Sequence, residues 1–265
     1  MQSLSREKFR QIHRLKSEKF RYREDRFLIE GTHLCEEALA SSWEVDLLLF
    51  TSDFSQLLRG KKLIDGFGEK EVKLFRVKRE ELEKLSDTKT PQGVAGIVKK
   101  KKFYLNKLLQ KKTSLFLGLD NIRDPGNLGT IIRTADAAGA DGVLLSRGCV
   151  ELYNPKVVRS TMGSLFHLPV IEELDLKVVM RELKKSGFKV LVSEVHEGKD
   201  YLRIKYPEKT CLLVGGEATG INREFLNLAD ERIKIPIYGK AESLNASVAA
   251  GILLFDIAGK RKNIE

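Results

Sequence analysis

The segment SLFLGLDNIRDPGNLGTIIRTADAAGADGVLLS, residues 114–146, decides the fold of the larger part of the chain. Its two ends, SLFLGLD (114–120) and GVLLS (142–146), are short apolar runs typical of strands that are buried on both faces. Between them, TIIRTADAAGA (130–140) has apolar residues at helical spacing. A strand, a helix and a strand joined by short connections predict a βαβ unit and therefore a parallel sheet.

Further apolar runs and helical patterns continue the α/β pattern on both sides of this segment. Towards the C-terminus, the predicted strands are 189–195, 211–216 and 232–237, and the predicted helices are 176–186 and 245–258. Towards the N-terminus, the predicted strands are 45–50, 72–77 and 93–98, and the predicted helices are 3–20, 32–41 and 79–86. We therefore predict two α/β domains, of which the larger is built on a parallel sheet.

Positive charge is concentrated in two short segments of this chain, which has 265 residues and a formal net charge of +10. Residues 1–26 have nine Lys and Arg against four Asp and Glu, and residues 99–112 have seven Lys and no acidic residue. Localised positive charge is typical of proteins that bind a polyanion such as a nucleic acid. A solvated tail and a solvated linker would give the same pattern, so charge alone leaves nucleic-acid binding open.

The composition excludes several classes of protein. Hydrophobic residues make up 42% of the chain, which is enough for a packed core. No apolar run approaches the ~18–20 residues that span a bilayer, and the polar N-terminus lacks a signal-peptide pattern. The three cysteines are far apart in sequence, which fits neither a disulfide framework nor clustered metal ligands. We expect a cytoplasmic protein with no metal site and no association with membranes.

These patterns divide the chain into four predicted parts. They are a basic N-terminal arm (1–26), a small α/β domain (27–98), a Lys-rich linker (99–112) and the larger α/β domain (113–265).

The loop after the first strand of the βαβ unit, within residues 120–139, carries residue types that suit ligand binding. Turn residues at 124–126 precede Asn127, which we predict to cap a helix that begins near Leu128. Arg133 follows in that helix, where a cation can face a bound phosphate or sulfonium group. An ordinary capped helix with a solvated arginine is the alternative interpretation.

Two later loops add similar chemistry. NPKVVRSTMGSLFHLPV (154–170) groups small hydroxyl residues around a glycine, beside Arg159. His167 in this loop has no obvious acidic partner, so we interpret it as a structural histidine. The third loop, within 214–257, has two glycines at a strand end, an exposed Glu217 and a polar segment before an Ala-rich helix. Because ligands bind at the carboxyl ends of parallel strands, we expect these loops to line one polar pocket.

The three loops together resemble the three signature motifs of the SpoU/TrmH family, within the SPOUT methyltransferase superfamily. The residues that carry the likeness are NLGTIIRTADAAG (127–139), STMGSLFHLP (160–169), GGEATG (215–220) and IPIYGKAESLNASVA (235–249). The family more often has SLNVS where this chain has SLNAS, a small apolar change. The N-terminal part resembles the ribosomal protein L30e-like substrate-binding domain of this family, through FLIEGTHLCEEAL (27–39) and TPQGVAGIV (90–98).

The resemblance implies an enzyme that transfers a methyl group from S-adenosylmethionine to a ribose 2′-hydroxyl of RNA. It also implies that the C-terminal domain is a deep trefoil knot and forms a homodimer. The pattern of strands and helices does not by itself predict a knot, because chains rarely thread through their own loops.

The resemblance also implies which residues form the site. The catalytic positions are Asn127, Arg133, Glu217, Ser243 and Asn245, and the positions that hold the methyl donor are Gly215, Gly216, Ile235 and Leu244. Because a guanidinium group is normally protonated, we expect Arg133 to stabilise developing alkoxide charge and to hold a phosphate. Asn127 and Asn245 would orient the site and Ser243 would supply a hydrogen bond. The role of Glu217 stays open between positioning Arg133 and binding the donor's amino group.

The basic segments are predicted to contact RNA phosphates, which position an RNA without reading its sequence. The predicted contacts are Arg6, Arg10, Arg14, Arg21, Arg23, Arg26, Lys99, Lys100, Lys101, Lys102 and Arg159. Tyr22, Phe27 and Tyr104 are candidates for stacking on unpaired bases, although a structural role is the stronger interpretation for each.

We expect 23S ribosomal RNA as the substrate, because a compact L30e-like module suits a structured loop of a large RNA. A transfer RNA methyltransferase, an antibiotic-resistance methylase of ribosomal RNA and a non-catalytic RNA-binding protein stay open as alternatives. A nucleotide-dependent enzyme of another kind is disfavoured, because the P-loop and the GxGxxG pattern are both absent.

Overall fold

The strands Ser114–Asp120 and Gly142–Ser146 lie side by side and parallel, as the βαβ prediction requires. They belong to a computed structural model that describes residues 2–217 and 220–262. The chain divides into a first unit, Met1–Lys101 with Tyr153–His167, and a second unit, Lys102–Leu152 with Leu168–Glu265. Residues 153–167 thus group with the first unit, although the sequence placed them inside the larger domain. The predicted domain boundaries stay predictions.

The helices and strands of the described residues are as follows. The strands are β1 Gln2–Ser3, β2 Arg26–Glu30, β3 Val45–Phe50, β4 Lys73–Arg76, β5 Val94–Lys99, β6 Ser114–Asp120, β7 Gly142–Ser146, β8 Val170–Leu174, β9 Lys189–Ser193, β10 Lys199–Asp200, β11 Lys209–Gly215 and β12 Glu231–Lys234. The helices are α1 Arg6–Arg14, α2 Glu18–Glu24, α3 Thr32–Ala40, α4 Ser52–Gln56, α5 Leu58–Glu69, α6 Arg79–Leu85, α7 Leu105–Leu108, α8 Pro125–Ala137, α9 Pro155–Ser160, α10 Leu176–Lys185, α11 Arg223–Leu228 and α12 Ala246–Lys262.

The first unit is a five-stranded mixed sheet with the order β1-β4-β3-β5-β2. Strand β5 is antiparallel to both β2 and β3, whereas β4 is parallel to β3 and β1. The buried Trp43 packs edge-on against Phe27 and Phe166, with ring centroids 6.1 and 5.4 Å away. Phe27 is fully buried, which agrees with the structural role that was the stronger interpretation and rules out stacking on a base.

The basic segment at the N-terminus is folded into the first unit and is broken into two helices. The sequence predicts a single helix over 3–20, but α1 ends at Arg14 and α2 starts at Glu18. Ile12 and Leu15 are buried against the sheet of this unit, so the segment is not a free arm. At the break, the Arg21 side chain turns back and donates hydrogen bonds to the backbone carbonyls of Leu15 and Lys16, just after the end of α1.

The second unit is a seven-stranded parallel sheet with the order β10-β12-β9-β11-β6-β7-β8. Its central strands β6, β7 and β11 are buried almost throughout, as the continuous apolar runs predicted. From β6 the sheet continues on one side with β7 and then β8. On the other side of β6 lie β11 and then β9, which come later in the sequence. Such a reversal of strand order is where open α/β sheets bind ligands. The predicted trefoil knot stays a prediction.

The described residues contain neither a membrane-spanning helix nor a cluster of metal ligands. In residues 2–217 and 220–262, no helix is long and apolar enough to cross a membrane. Over the same residues, no group of three or more His, Cys, Asp and Glu side chains is arranged to hold a metal ion.

Candidate active site

Two loops of the second unit meet because the strands before them are neighbours. Strands β6 and β11 are parallel, and their register pairs Gly215 with Asp120 at the carboxyl end of both. The loop after β6 leads to α8, and the loop after β11 begins with Gly216 and Glu217. The backbone N–H of Gly216 donates to the carbonyl of Asp120 at 2.8 Å, which closes the second loop onto the first.

Helix α8 begins earlier than the sequence predicted, and this changes the role of Asn127. The side chain of Asp124 caps the helix by accepting a hydrogen bond from the backbone N–H of Asn127 at 2.8 Å, and Pro125 takes the first helical position. The prediction that Asn127 caps the helix is therefore wrong. Because another residue satisfies the helix end, the Asn127 amide stays available for the site.

Three of the predicted catalytic residues form one hydrogen-bonded chain. The Asn245 amide donates to the Asn127 carbonyl oxygen at 3.1 Å, and the Asn127 amide donates to the Glu217 carboxylate. The bonded partners are 118 and 90 positions apart in sequence, so only the fold of the second unit brings them together. Asn245 also caps α12, because its oxygen accepts from the backbone N–H groups of Ser247 and Val248.

The glycines after β11 are required by a close approach of backbone to backbone. A Cβ atom at Gly215 would lie 2.3 Å from the carbonyl carbon of Gly220, and one at Gly216 would lie 2.3 Å from the Asn121 oxygen. A side chain at either position would displace the loop itself. Glycine is thus required at both positions by the close packing of this loop against itself and against the loop after β6.

The other predicted site residues have no direct hydrogen bond to this chain. Ile235 directly follows β12 and Leu244 directly precedes the cap of α12; both are half-buried. Arg133 is exposed on α8, six residues beyond Asn127, or about 9 Å along the helix axis. Among the described residues, neither Arg133 nor the exposed Ser243 has a side-chain hydrogen bond or an ion pair.

Comparison with protein families identifies this arrangement. The family described as "SpoU rRNA Methylase family" matches residues 114–255, which include the hydrogen-bonded chain and both glycines. The chain belongs to the SpoU rRNA methylase family. The N-terminal part, residues 6–96, matches a second family, "MRM3-like substrate binding domain". The resemblance drawn from the motifs is confirmed.

Individual SpoU relatives match nearly the whole chain. The chain is 35% identical over 259 residues to 23S rRNA (guanosine(2553)-2′-O)-methyltransferase RlmP of Bacillus subtilis, with 98% of the chain and 99% of that protein covered. It is 33% identical to the human mitochondrial rRNA methyltransferase 3, with 94% of the chain and 70% of that protein covered.

Solved SpoU structures share the fold. The AdoMet-bound rRNA methyltransferase from Sinorhizobium meliloti is 29% identical, with a TM-score of 0.87 over 100% of this chain and 98% of that one. The SpoU methyltransferase AviRb from Streptomyces viridochromogenes, in complex with AdoMet, is 27% identical, with a TM-score of 0.87 over 97% and 99%. The predicted fold class, a parallel-sheet methyltransferase domain with a smaller α/β domain, is confirmed.

One predicted RNA contact of this SpoU chain is wrong. Arg21 is only 3% exposed, and its guanidinium donates to the backbone carbonyls of Leu15 and Lys16, both at 2.8 Å. Its charge satisfies the end of α1 and is not available to a phosphate.

The other arginines of the N-terminal segment that were predicted to contact RNA differ in whether they already bind an acidic side chain. Arg6, Arg10 and Arg14 are exposed on α1. Arg23 is exposed and pairs with Glu24 at 2.7 Å. Arg26 is half-buried and donates to Asp46, and this hydrogen bond raises the pKa of Arg26.

The basic stretch after β5 is also partly engaged. Lys99 pairs with Glu44 at 3.1 Å, and Lys101 donates to the Ser42 hydroxyl at 2.8 Å. The ammonium group of Lys100 lies 4.4 Å from the centroid of the Tyr153 ring. Lys102 is exposed, and Arg159 is half-buried near the end of α9.

The sequence missed a histidine–carboxylate cluster within the first unit. Nε2 of His167 lies 2.8 Å from a carboxylate oxygen of Glu37, the acidic partner that the sequence did not reveal. Nε2 of His33, one turn before Glu37 on α3, lies 3.0 Å from the carbonyl oxygen of Met162. Because 130 residues separate the first pair, no local pattern could have indicated it. The cluster supports the structural interpretation of His167.

Proposed function

We propose that this chain methylates a ribose 2′-hydroxyl of 23S ribosomal RNA and uses S-adenosylmethionine as the methyl donor. The observation that carries the proposal is the Asn245–Asn127–Glu217 chain at the carboxyl ends of β6 and β11. It is supported by family membership and by relatives that are named as rRNA 2′-O-methyltransferases or were crystallised with AdoMet.

Four of the predicted residues have chemistry that suits a methyl donor. Gly215 and Gly216 present backbone without side chains, and Ile235 and Leu244 offer half-buried apolar surface. We propose that these four residues hold S-adenosylmethionine. When bound, this cofactor supplies a methyl group on a positively charged sulfur.

The polar residues supply alignment and charge. Alignment of the reacting atoms can contribute on the order of 7–11 kcal/mol in favourable cases. In our proposal Asn127 and Asn245 orient the site and Ser243 adds a hydrogen bond. Arg133 stabilises the developing charge on the ribose oxygen and binds a neighbouring phosphate through its two-pronged guanidinium.

The first unit presents cations for the RNA backbone. Arg6, Arg10 and Arg14 project from the exposed side of α1, and Tyr22 is an exposed aromatic ring on α2. We propose that these residues and the exposed Lys102 contact RNA, the cations through phosphates and Tyr22 by stacking.

We further propose a homodimer formed by the second unit. Val248 and Phe255 are 49% and 55% exposed on α12 and are seven residues apart, so they lie on one face of the helix. Half-buried Ile252 lies between them on the same face, and together they form an apolar stripe. Phe255→Lys should convert the dimer to a monomer in size-exclusion chromatography with light scattering. Val178→Lys, which changes an equally exposed valine on α10, is the matched control. A dimer that survives Phe255→Lys contradicts this interface.

A cytoplasmic location is part of the proposal. The three cysteines are free, as is usual for proteins of a reducing compartment.

A methyl-transfer assay tests the function. The protein is incubated with tritiated S-adenosylmethionine and with ribosomal RNA or transfer RNA from a strain that lacks it. Label in 23S ribosomal RNA, at a single mapped 2′-O position, is the expected result. Label in transfer RNA alone would favour the transfer RNA alternative. Binding of RNA with neither label nor calorimetric binding of S-adenosylmethionine would favour a non-catalytic RNA-binding protein.

A further inference from the structure

The Asn245–Asn127–Glu217 chain has a direction, and both of its ends force the same one. At one end, the Asn245 side chain faces the backbone N–H groups of Ser247 and Val248 at 2.9 and 3.4 Å. A backbone N–H only donates, so the atom that faces it must be the amide oxygen. The Asn245 NH₂ group therefore points away from the helix, towards the Asn127 oxygen at 3.1 Å.

The other end gives the same answer independently. A carboxylate only accepts hydrogen bonds, so Asn127 must turn its NH₂ group to Glu217 and its oxygen to Asn245. The N-terminus of α12 and the charge of Glu217 thus agree on one orientation for both amides. Reversing either amide would place oxygen against oxygen.

Ser247 adds a side-chain contact to this arrangement. Its hydroxyl lies 2.6 Å from the Asn245 oxygen, on which the backbone N–H of the same residue also converges. Ser247 is half-buried and lies within the motif 235–249, but the resemblance assigned it no role. Because these donors occupy the Asn245 oxygen, the hydrogen-bond donors that the chain can offer to a ligand are the N–H groups of the Asn127 and Asn245 amides. Among the described residues, the second carboxylate oxygen of Glu217 has no partner.

We propose that Asn245 and Ser247 are positioning residues. The cap of α12 sets the direction of the hydrogen-bonded chain. With this direction, the chain presents amide N–H donors and one Glu217 oxygen to the substrate. The inference rests on the proposed active site. It adds a residue, Ser247, and a reason for the asparagine at position 245. An aspartate would cap the helix equally well but would present a second acceptor to Asn127.

The first test separates the cap from the direction of the chain by thermal unfolding, which does not depend on activity. Asn245→Asp keeps the cap but replaces a donor by an acceptor. If Asn127 keeps its orientation, its oxygen faces the new carboxylate. If Asn127 turns round, its oxygen faces the carboxylate of Glu217 instead. Adding Glu217→Gln allows the chain to re-form in the opposite direction. We expect the double variant to melt about 2–4 °C above the Asn245→Asp single variant, which corresponds to roughly one recovered hydrogen bond. A double variant that melts no higher than the single variant overturns the proposal.

The second test uses turnover. We expect Asn245→Asp to lower kcat roughly tenfold or more with little change in KM for S-adenosylmethionine, and Ser247→Ala to lower kcat roughly threefold to tenfold. Ser247→Thr keeps the hydroxyl and should restore turnover. Asp175→Asn makes the reverse exchange at the cap of α10 and is the matched control with unchanged kcat.

A double-mutant comparison distinguishes positioning from a general loosening of α12. In an Asn127→Ala background the chain is already broken, so Ser247→Ala should cause no further loss of kcat. An additive loss, or an Asn245→Asp variant within about twofold of wild-type kcat, overturns the proposal. If the wild-type protein transfers no methyl group, the proposed function fails, whereas the melting comparison still decides the direction of the chain.

Discussion

Arg21 and Arg10 are both arginines of the basic N-terminal segment, yet they differ in exposure and in hydrogen-bond partners. Arg21 is 3% exposed and donates to two backbone carbonyls at 2.8 Å, whereas Arg10 is exposed on α1. We therefore predict that Arg21→Met destabilises the first unit and leaves RNA phosphate contacts intact. Arg10→Met should do the reverse.

The magnitude follows from the two lost hydrogen bonds. A hydrogen bond from a charged group contributes roughly 1.5–3 kcal/mol, and the freed carbonyls at a helix end regain part of this from water. We expect Arg21→Met to lower the free energy of unfolding by about 2–4 kcal/mol. Arg10→Met should change it by less than about 0.5 kcal/mol, as is usual for exposed positions.

Trp43 provides the assay for stability. It is the only tryptophan of the chain, it is 6% exposed, and it packs against Phe27 and Phe166 in the same unit as Arg21. Its fluorescence in a urea titration therefore reports the unfolding of the first unit. If Arg21→Met does not fold, Arg21→Lys keeps the charge and one donor nitrogen but loses the planar guanidinium, and should show an intermediate loss.

The salt dependence of RNA binding completes the comparison. Each phosphate contact contributes about 0.7–0.9 to the slope of log K against log salt concentration. Arg10→Met should reduce the slope by about this amount, and Arg21→Met should leave it unchanged. An Arg21→Met protein with wild-type stability and a reduced slope would refute the reasoning.

Three further predictions concern the second unit. Gly216→Ala should weaken the binding of S-adenosylmethionine, measured by calorimetry, at least tenfold, because the new Cβ would lie 2.3 Å from a backbone oxygen. Gly68→Ala is the control, because its Cβ would make only an ordinary van der Waals contact. Equal affinities of the two variants would contradict the prediction. Glu231→Gln should destabilise the protein by about 1 kcal/mol at pH 7. Hydrogen bonds from Lys189 and Lys199 lower the pKa of Glu231 in the folded state, so this contribution is present above the ordinary Glu pKa of about 4.3 and is lost as the pH falls through the folded-state pKa. Thermal unfolding should show no difference from wild type in strong acid; a difference of the same size at both pH values would contradict this. Arg133→Lys keeps the charge but loses the two-pronged geometry of the guanidinium. It should lower turnover on the order of tenfold or more and leave the binding of S-adenosylmethionine unchanged. Near-wild-type turnover would contradict the proposed role.

The sequence predicts the central strands well because their signal is local. β3, β6 and β7 have the predicted bounds, since each is a continuous apolar run buried on both faces. β8 was not predicted, because two of its five residues are Glu and only Val170 is buried. Helix α5 was also missed: LRGKKLIDGFGE has three glycines, which lower helix propensity, yet Leu63, Ile64 and Phe67 are buried and stabilise the helix through tertiary packing.

The site was predictable as a set of residues but not as a set of contacts. The motifs named Asn127, Glu217 and Asn245, but the bonds that join them depend on the pairing of β6 with β11 and on where two helices begin. Charge counting could not separate Arg21 from its exposed neighbours, because the partners of a buried arginine are backbone carbonyls that every sequence contains.

Helix capping explains why two asparagines of similar chemistry serve the site differently. At α8, Asp124 takes the cap, so the Asn127 amide is free to respond to whatever lies beside it. At α12, Asn245 itself takes the cap, so its oxygen is fixed by backbone N–H groups that cannot change their polarity. The constrained amide then orients the free one, and the free one orients Glu217. Local backbone chemistry at two helix ends thus determines which atoms this site offers to a substrate.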